Sequence, residues 1–151
     1  MIPELFVEVK VPELDGLVDH LDEELRNAVQ IATFRAETAA KIAAPVDTGL
    51  LRNSIISYVY GKGSFVSASA FRPGAGFPTA ERPRDPWEGI ISTGTEYARH
   101  VEDGTTRELK DGGTLHIPGR FYMKHAARQL ETRIFPQEVD RGIKRAMKRG
   151  K

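Results

Sequence analysis

The feature that most constrains this 151-residue chain is a thirty-residue run with helical periodicity. Leu14, Leu17, Val18, Leu21, Leu25, Ala28, Val29, Ala32, Ala36, Ala39, Ala40 and Ala43 recur at three- and four-residue steps. That spacing places them on one face of an α-helix. A helix over 14–43 is about 45 Å long at about 1.5 Å per residue. Acids crowd its first turns, while Arg35 and Lys41 lie near its end, and both placements suit the helix dipole. Pro45 stops it, since proline lacks the amide hydrogen that a helix needs. The apolar face turns from Leu-rich to Ala-rich along its length. Small residues let another backbone come close, so the second half is expected to pack tightly on a sheet or helix.

Charge is distributed as unevenly as size. Lys plus Arg total 22 and Asp plus Glu 21, a net of +1. Divided along the chain, residues 1–30 carry −6, residues 31–118 carry 0 and residues 119–151 carry +7. A net near zero argues against a general nucleic-acid coat, while the basic end leaves local binding open. Hydrophobic content of 40% supports a modest core and argues against wholesale disorder. No apolar run reaches the roughly 18–20 residues of a membrane span. Met1-Ile2-Pro3-Glu4 lacks the basic and apolar regions of a signal peptide. Without cysteine there is no disulfide, thiol nucleophile or cysteine–zinc site.

The rest reads as mixed α and β in a single domain, 1–151. Residues 3–12, bracketed by Pro3 and Pro12, suit a short edge strand. Asp47 or Thr48 is expected to cap a short turn that Leu50 and Leu51 fix to the core. Ile55–Tyr60 and Ser64–Ala70 read as a hairpin about the turn at 61–63. Residues 71–89, with four of the nine prolines and three glycines, read as a long loop. Trp87 closes that loop, either anchored on the core or kept for an intermolecular contact. Residues 88–93 suit a further strand, 95–102 a short helix, 105–114 a loop and 115–117 a short strand. A basic C-terminal helix spans 120–149. In it Phe121, Ala126, Ala127, Leu130 and Ile134 share a face, Pro136 breaks or kinks the pattern, and Val139, Ile143, Ala146 and Met147 continue it.

Sites for bond chemistry are not evident. His20, His100, His116 and His125 form no pair one helical turn apart, the spacing of zinc hydrolases. No serine sits in a nucleophile elbow, and no glycine-rich stretch runs into a phosphate-binding helix. We expect no catalytic residue, metal or cofactor. The basic helix is the better functional candidate, as a solvated face, a dock for an acidic protein or a phosphate contact. Aromatic residues that would stack on bases are not interleaved with its charges.

Three segments, in this order, resemble the neck and tail-completion proteins of long-tailed bacteriophages. Residues 44–55, with Pro45, Asp47, Thr48, Gly49, Leu51, Arg52 and Ser54, resemble that family's P-V-D-T-G-x-L-R-x-S-I signature. Residues 97–105, with Tyr97, Ala98, Glu102, Gly104 and Thr105, are similar to its Y-A-x-x-V-E-x-G-T. Residues 118–126, with Arg120 and Phe121, are similar to the P-R-P-F-M-x-x-A opening of its last helix. Here Gly119 precedes the arginine and Tyr122 follows the phenylalanine, where the family tends to carry a proline near the arginine. The long helix and the last helix match too, so the likeness covers most of 14–147.

The resemblance implies an α+β protomer, a small antiparallel sheet flanked by a long N-terminal helix and a C-terminal helix. It implies a virion protein of the neck or tail, assembled in the host cytoplasm without a membrane. Six or twelve copies form a ring that completes the tail and joins it to the head. Its partners are head-closure or connector proteins and the tail-tube protein, and DNA passes through the channel without sequence-specific binding. Candidate partner contacts are Arg72, Arg82, Arg84 and Trp87 in the loop, and Arg141, Lys144, Arg145 and Lys148 on the helix. Gly49 is expected where a backbone or partner comes close, Gly104 in a left-handed helix end, and Glu102 paired with Arg52 or Arg120. The alternative function is a small nucleic-acid-binding protein that uses the basic C-terminal helix.

Overall fold

The computed structural model describes residues 14–46, 49–60 and 83–150. The expected long helix forms as α1, Leu14–Ala43. Ala28, Ala32, Ala36 and Ala40, one at every fourth position, are all buried. They lie on the helix against which the first sheet and the C-terminal helices pack. Close approach is visible at two glycines. A β-carbon on Gly89 would stand 1.9 Å from the Thr33 hydroxyl, and one on Gly142 would stand 3.1 Å from the Glu24 carbonyl oxygen. The Ala-rich second half of α1 packs against both a strand and a helix, since Thr33 meets Gly89 of the strand and Ala40 lies in one cluster with Ile55, Tyr122 and Ala126.

A short helix α2, Leu50–Ser54, leads straight into strand β1, Ile55–Val59, which is buried along its whole length. β1 pairs antiparallel with β2, Gly89–Thr93, with Ile55 opposite Thr93 and Val59 opposite Gly89. The expected hairpin partner 64–70, its turn at 61–63 and the edge strand at 3–12 lie outside the described residues. Helix α3, Ala98–Asp103, then runs into β3, Gly104–Glu108, which pairs antiparallel with β4, Thr114–Pro118.

That second sheet corrects the loop expected over 105–114. Gly112, at φ +82°, closes a tight turn. Its N–H donates to the Leu109 carbonyl at 3.0 Å, and the Leu109 N–H donates to the Gly113 carbonyl at 2.7 Å. A glycine at positive φ lets a three-residue turn return the chain in register, so pairing reaches Glu108 and Thr114. The fold is α+β, as expected, and among the described residues it has two separate two-stranded sheets rather than one small sheet.

The C-terminal rod is α4, Tyr122–Gln129, a π-helical turn, Leu130–Ile134, and α5, Phe135–Arg149. Pro136 does not end it. The Phe135 N–H reaches the Leu130 carbonyl, five residues back, just before the proline. The wider turn relieves the clash a proline ring makes with the carbonyl four residues earlier. It also shifts which positions face the core. Tyr122, Ala126, Ile134, Glu138, Gly142 and Ala146 are the buried stripe. The expected face is corrected accordingly. Phe121, Ala127, Ile143 and Met147 are exposed, and Val139 is half-buried.

Candidate functional site

One cluster of the hydrophobic core is drawn from the three motif segments and the end of α1. Ala44, Leu51 and Ile55 come from the first segment, Ala98 from the second, and Tyr122 and Ala126 from the third, all packed with Ala40. Val101 and Met123 edge the same cluster.

Hydrogen bonds lock the second and third segments together. The Glu102 carboxylate accepts the N–H groups of Met123 at 2.8 Å and Lys124 at 2.9 Å. These are among the N–H groups that a helix leaves unmet at its first turn, and a negative charge there also suits the dipole. The Arg120 N–H donates to the Val101 carbonyl at 2.8 Å, and the Phe121 N–H to the Glu102 carbonyl at 3.1 Å. Two glycines make this crossing possible. A β-carbon on Gly104 would meet the Gly119 nitrogen at 2.6 Å, and one on Gly119 would meet the Glu102 carbonyl oxygen at 2.5 Å. The glycine that departs from the motif pattern is thus the one residue that fits there.

Three details differ from expectation. Glu102 caps α4 instead of pairing with an arginine, and the Arg52 Nε–H donates to the Lys41 carbonyl at 2.7 Å. Gly104 has a positive φ of 81°, but its ψ of 175° is extended and starts β3 rather than ending a helix in left-handed form. Gly49 is required by its φ of 76° and not by crowding, because a β-carbon there would meet only the Asn53 amide, at 3.9 Å. Pro45 is half-buried after α1, Ser54 Oγ lies 2.7 Å from Thr93 Oγ1, and Thr105 pairs with Ile117. Asp47 and Thr48 lie outside the described residues. Phe121 carries a side chain at φ 51°, ψ 34°, a region that costs roughly 1–3 kcal/mol for most residues. Its ring sits 4.8 Å from the Lys124 ammonium. Burial first, then the charges of Glu102 and Tyr97, push the Tyr122 hydroxyl up to about 12.

The acidic and basic ends of the chain meet within the protomer. Buried Glu24 takes Arg145 at 2.6 Å and Arg149 at 3.4 Å. Buried Glu138 takes Arg35 at 2.5 Å and Arg141 at 2.7 Å. Lys144 pairs with Asp140 at 2.6 Å. Of the basic-helix candidates, Arg145 is thus fastened to α1, Arg141 and Lys144 are tied to acids on their own helix, and Lys148 is exposed. Sequence patterning missed that Glu24 and Glu138 are core-facing, since each carboxylate is buried only because arginines from elsewhere reach it.

Two open clefts flank α1. One, of about 270 Å³, is lined by Val29, Trp87, Ala127, Leu130, Glu131 and Phe135 among others. Trp87 is 49% exposed and lies under the Arg26 guanidinium, 5.8 Å from ring centre to charge. It therefore rests on α1 while leaving half its surface open. Arg84 is exposed, and its N–H donates to Glu88 at 2.9 Å. Arg72 and Arg82 lie outside the described residues. The other cleft is rimmed by Arg35, His125 and Arg133. Among the described residues no group of three or more His, Asp or Glu is placed to hold a metal, and no helix is long and apolar enough to cross a membrane.

The strand expected at 115–117 forms as β4, and what sequence reading missed is β3 and its pairing with β4. Every residue of β4 is exposed, with Leu115 at 45% and Ile117 at 44%. Leu109, Arg107, Leu115 and Ile117 share one of its faces, by the register that sets Arg107 opposite Leu115. On the other face Thr106 Oγ1 and His116 Nδ1 are 3.1 Å apart. The signal was present in the alternation Thr114-Leu115-His116-Ile117 after Asp111-Gly112-Gly113.

Compared with protein-family models, curated proteins and solved structures, the chain matches none at a significant level.

Proposed function

We propose that this chain is a structural component of the head–tail junction of a long-tailed phage, without catalytic activity. The observation that carries the proposal is the meeting of the three motif segments in one core. They keep the order of the motif pattern, and their glycines and Glu102 act as packing and capping parts, which is the role such motifs have in a shared scaffold. Copies form a closed ring of six or twelve that stacks between head-closure proteins and the tail tube and leaves a channel for DNA. Ring closure needs two unlike surfaces on one protomer, each meeting the other on the next copy. The work is assembly, and no bond is made or broken.

Nucleic-acid binding through the basic helix fits less well. Three of its four candidate cations already face carboxylates within the protomer.

Native mass spectrometry of the purified chain tests the proposal. A species of six or twelve copies is expected, with no retention of duplex DNA at moderate salt. A monomer at every concentration contradicts it, as does DNA affinity that falls steeply with salt in the manner of phosphate contacts.

A further inference from the structure

Among the described residues the β3–β4 hairpin has little support. It packs against the end of α3 and makes no comparable contact with α1 or the C-terminal rod. An isolated two-stranded hairpin is marginal in water, and gains stability when its apolar face is covered. That face presents Leu109, Leu115 and Ile117, each more than two-fifths exposed. Beside them is Arg107, exposed and without an ion pair among the described residues.

The same chain carries a surface of matching character elsewhere. The cleft between α1 and the π turn is walled by Val29, Leu130 and the half-open rings of Trp87 and Phe135. Its rim holds Glu131, also exposed and without an ion pair among the described residues. The second cleft is a poorer match, because Arg35, His125 and Arg133 at its rim would repel Arg107.

We infer that the hairpin of one copy seats its apolar face in the Trp87 cleft of a second copy, with Arg107 facing Glu131 across the contact. This names the two unlike surfaces that a head-to-tail interface needs, and it rests on the ring reading above. The apolar residues supply the burial, and the arginine–glutamate pair sets orientation and rejects the other cleft.

A charge exchange tests the contact on the full chain. Native mass spectra are recorded over a concentration series for the unaltered protein, Arg107→Glu, Glu131→Arg and the double variant. Each single change is expected to raise the concentration needed for assembly by about tenfold, and the double change to restore it to within about threefold. The chain has no cysteine, which permits a second measurement. Leu115→Cys protein mixed with Ala127→Cys protein is expected to form a disulfide between copies under mild oxidation. Thr106→Cys, on the opposite hairpin face, is expected not to do so with Ala127→Cys. Rings that persist in both single variants, with no preference for Leu115→Cys over Thr106→Cys, overturn the contact and leave the ring standing; the hairpin then faces a different protein. An unaltered chain that never leaves the monomer overturns the ring reading itself, and that result is read before any variant is made.

Discussion

The α1–α5 seam and the β3–β4 hairpin use similar residues in opposite ways. In the seam, charge is turned inward. Glu24 and Glu138 are each only 2% exposed, and each is held by two arginines. In the hairpin, charge and apolar surface are turned outward, and Arg107, Leu115 and Ile117 are exposed, with little to touch among the described residues. The most conspicuous feature of the composition, an acidic start and a basic end, is thus partly spent within the protomer, where Glu23 and Glu24 meet Arg145 and Arg149. The exposed apolar face of the hairpin lies in a segment of unremarkable composition. A run of like charge in a sequence is a poor guide to binding when its counter-charge lies on a helix that packs beside it.

The comparison can be broken hardest at the crossing that holds both regions in place. Gly119→Ala would put a β-carbon 2.5 Å from the Glu102 carbonyl oxygen, a backbone atom that cannot swing aside. A loss of about 3 kcal/mol or more is expected, read from the denaturant midpoint. Next, Arg145→Glu sets a negative charge against buried Glu24 and should cost about 3 kcal/mol in the same measurement. Lys148→Glu, one turn on and exposed, should change stability by less than about 0.5 kcal/mol. Equal effects of these two reversals would show that the seam is not internal.

Tyr122 gives a pH-dependent handle on the junction. Burial pushes its hydroxyl from the ordinary tyrosine value of 10.0 up to about 12. A group with a raised folded pKa contributes its full stability below the unfolded value and loses it as pH climbs through the folded one. Stability should thus fall by about 2 kcal/mol between pH 10 and pH 12, at about 1.4 kcal/mol per unit. Tyr122→Phe should remove that part of the decline, followed by thermal melts across the window. Smaller again, Glu102→Ala takes away the cap of α4 and should cost about 1 kcal/mol.

How much of this was legible in the sequence depended on whether the governing interaction was local. α1 was readable from end to end, because periodicity and Pro45 act within one element. The short helix at Ala98–Asp103 and the strand at Gly89–Thr93 were also readable from local propensity. The face of α5 was not, since a π turn shifts the helical register and Glu138 is buried by an arginine from α1 more than a hundred residues away. β3 was hidden for a different reason. Gly104-Thr105-Thr106-Arg107-Glu108 has no core to face and so no apolar alternation, and its strand exists because the Gly112 turn returns β4 alongside it. At the site, the glycines of the three segments, including the departing Gly119, were visible as glycines. Their reasons were three-dimensional: positive φ at Gly49, and mutual crowding at Gly104 and Gly119.

The seam holds the protomer together, and the hairpin is proposed to hold protomers to one another. Leu115→Asp tests it most directly, with the thermal melt and the native mass spectrum taken on the same preparation. The account predicts a melt that shifts by no more than about 0.5 kcal/mol in stability, because Leu115 is exposed, together with loss of the ring to monomers. A ring that survives an aspartate in the middle of the hairpin's apolar face would contradict it.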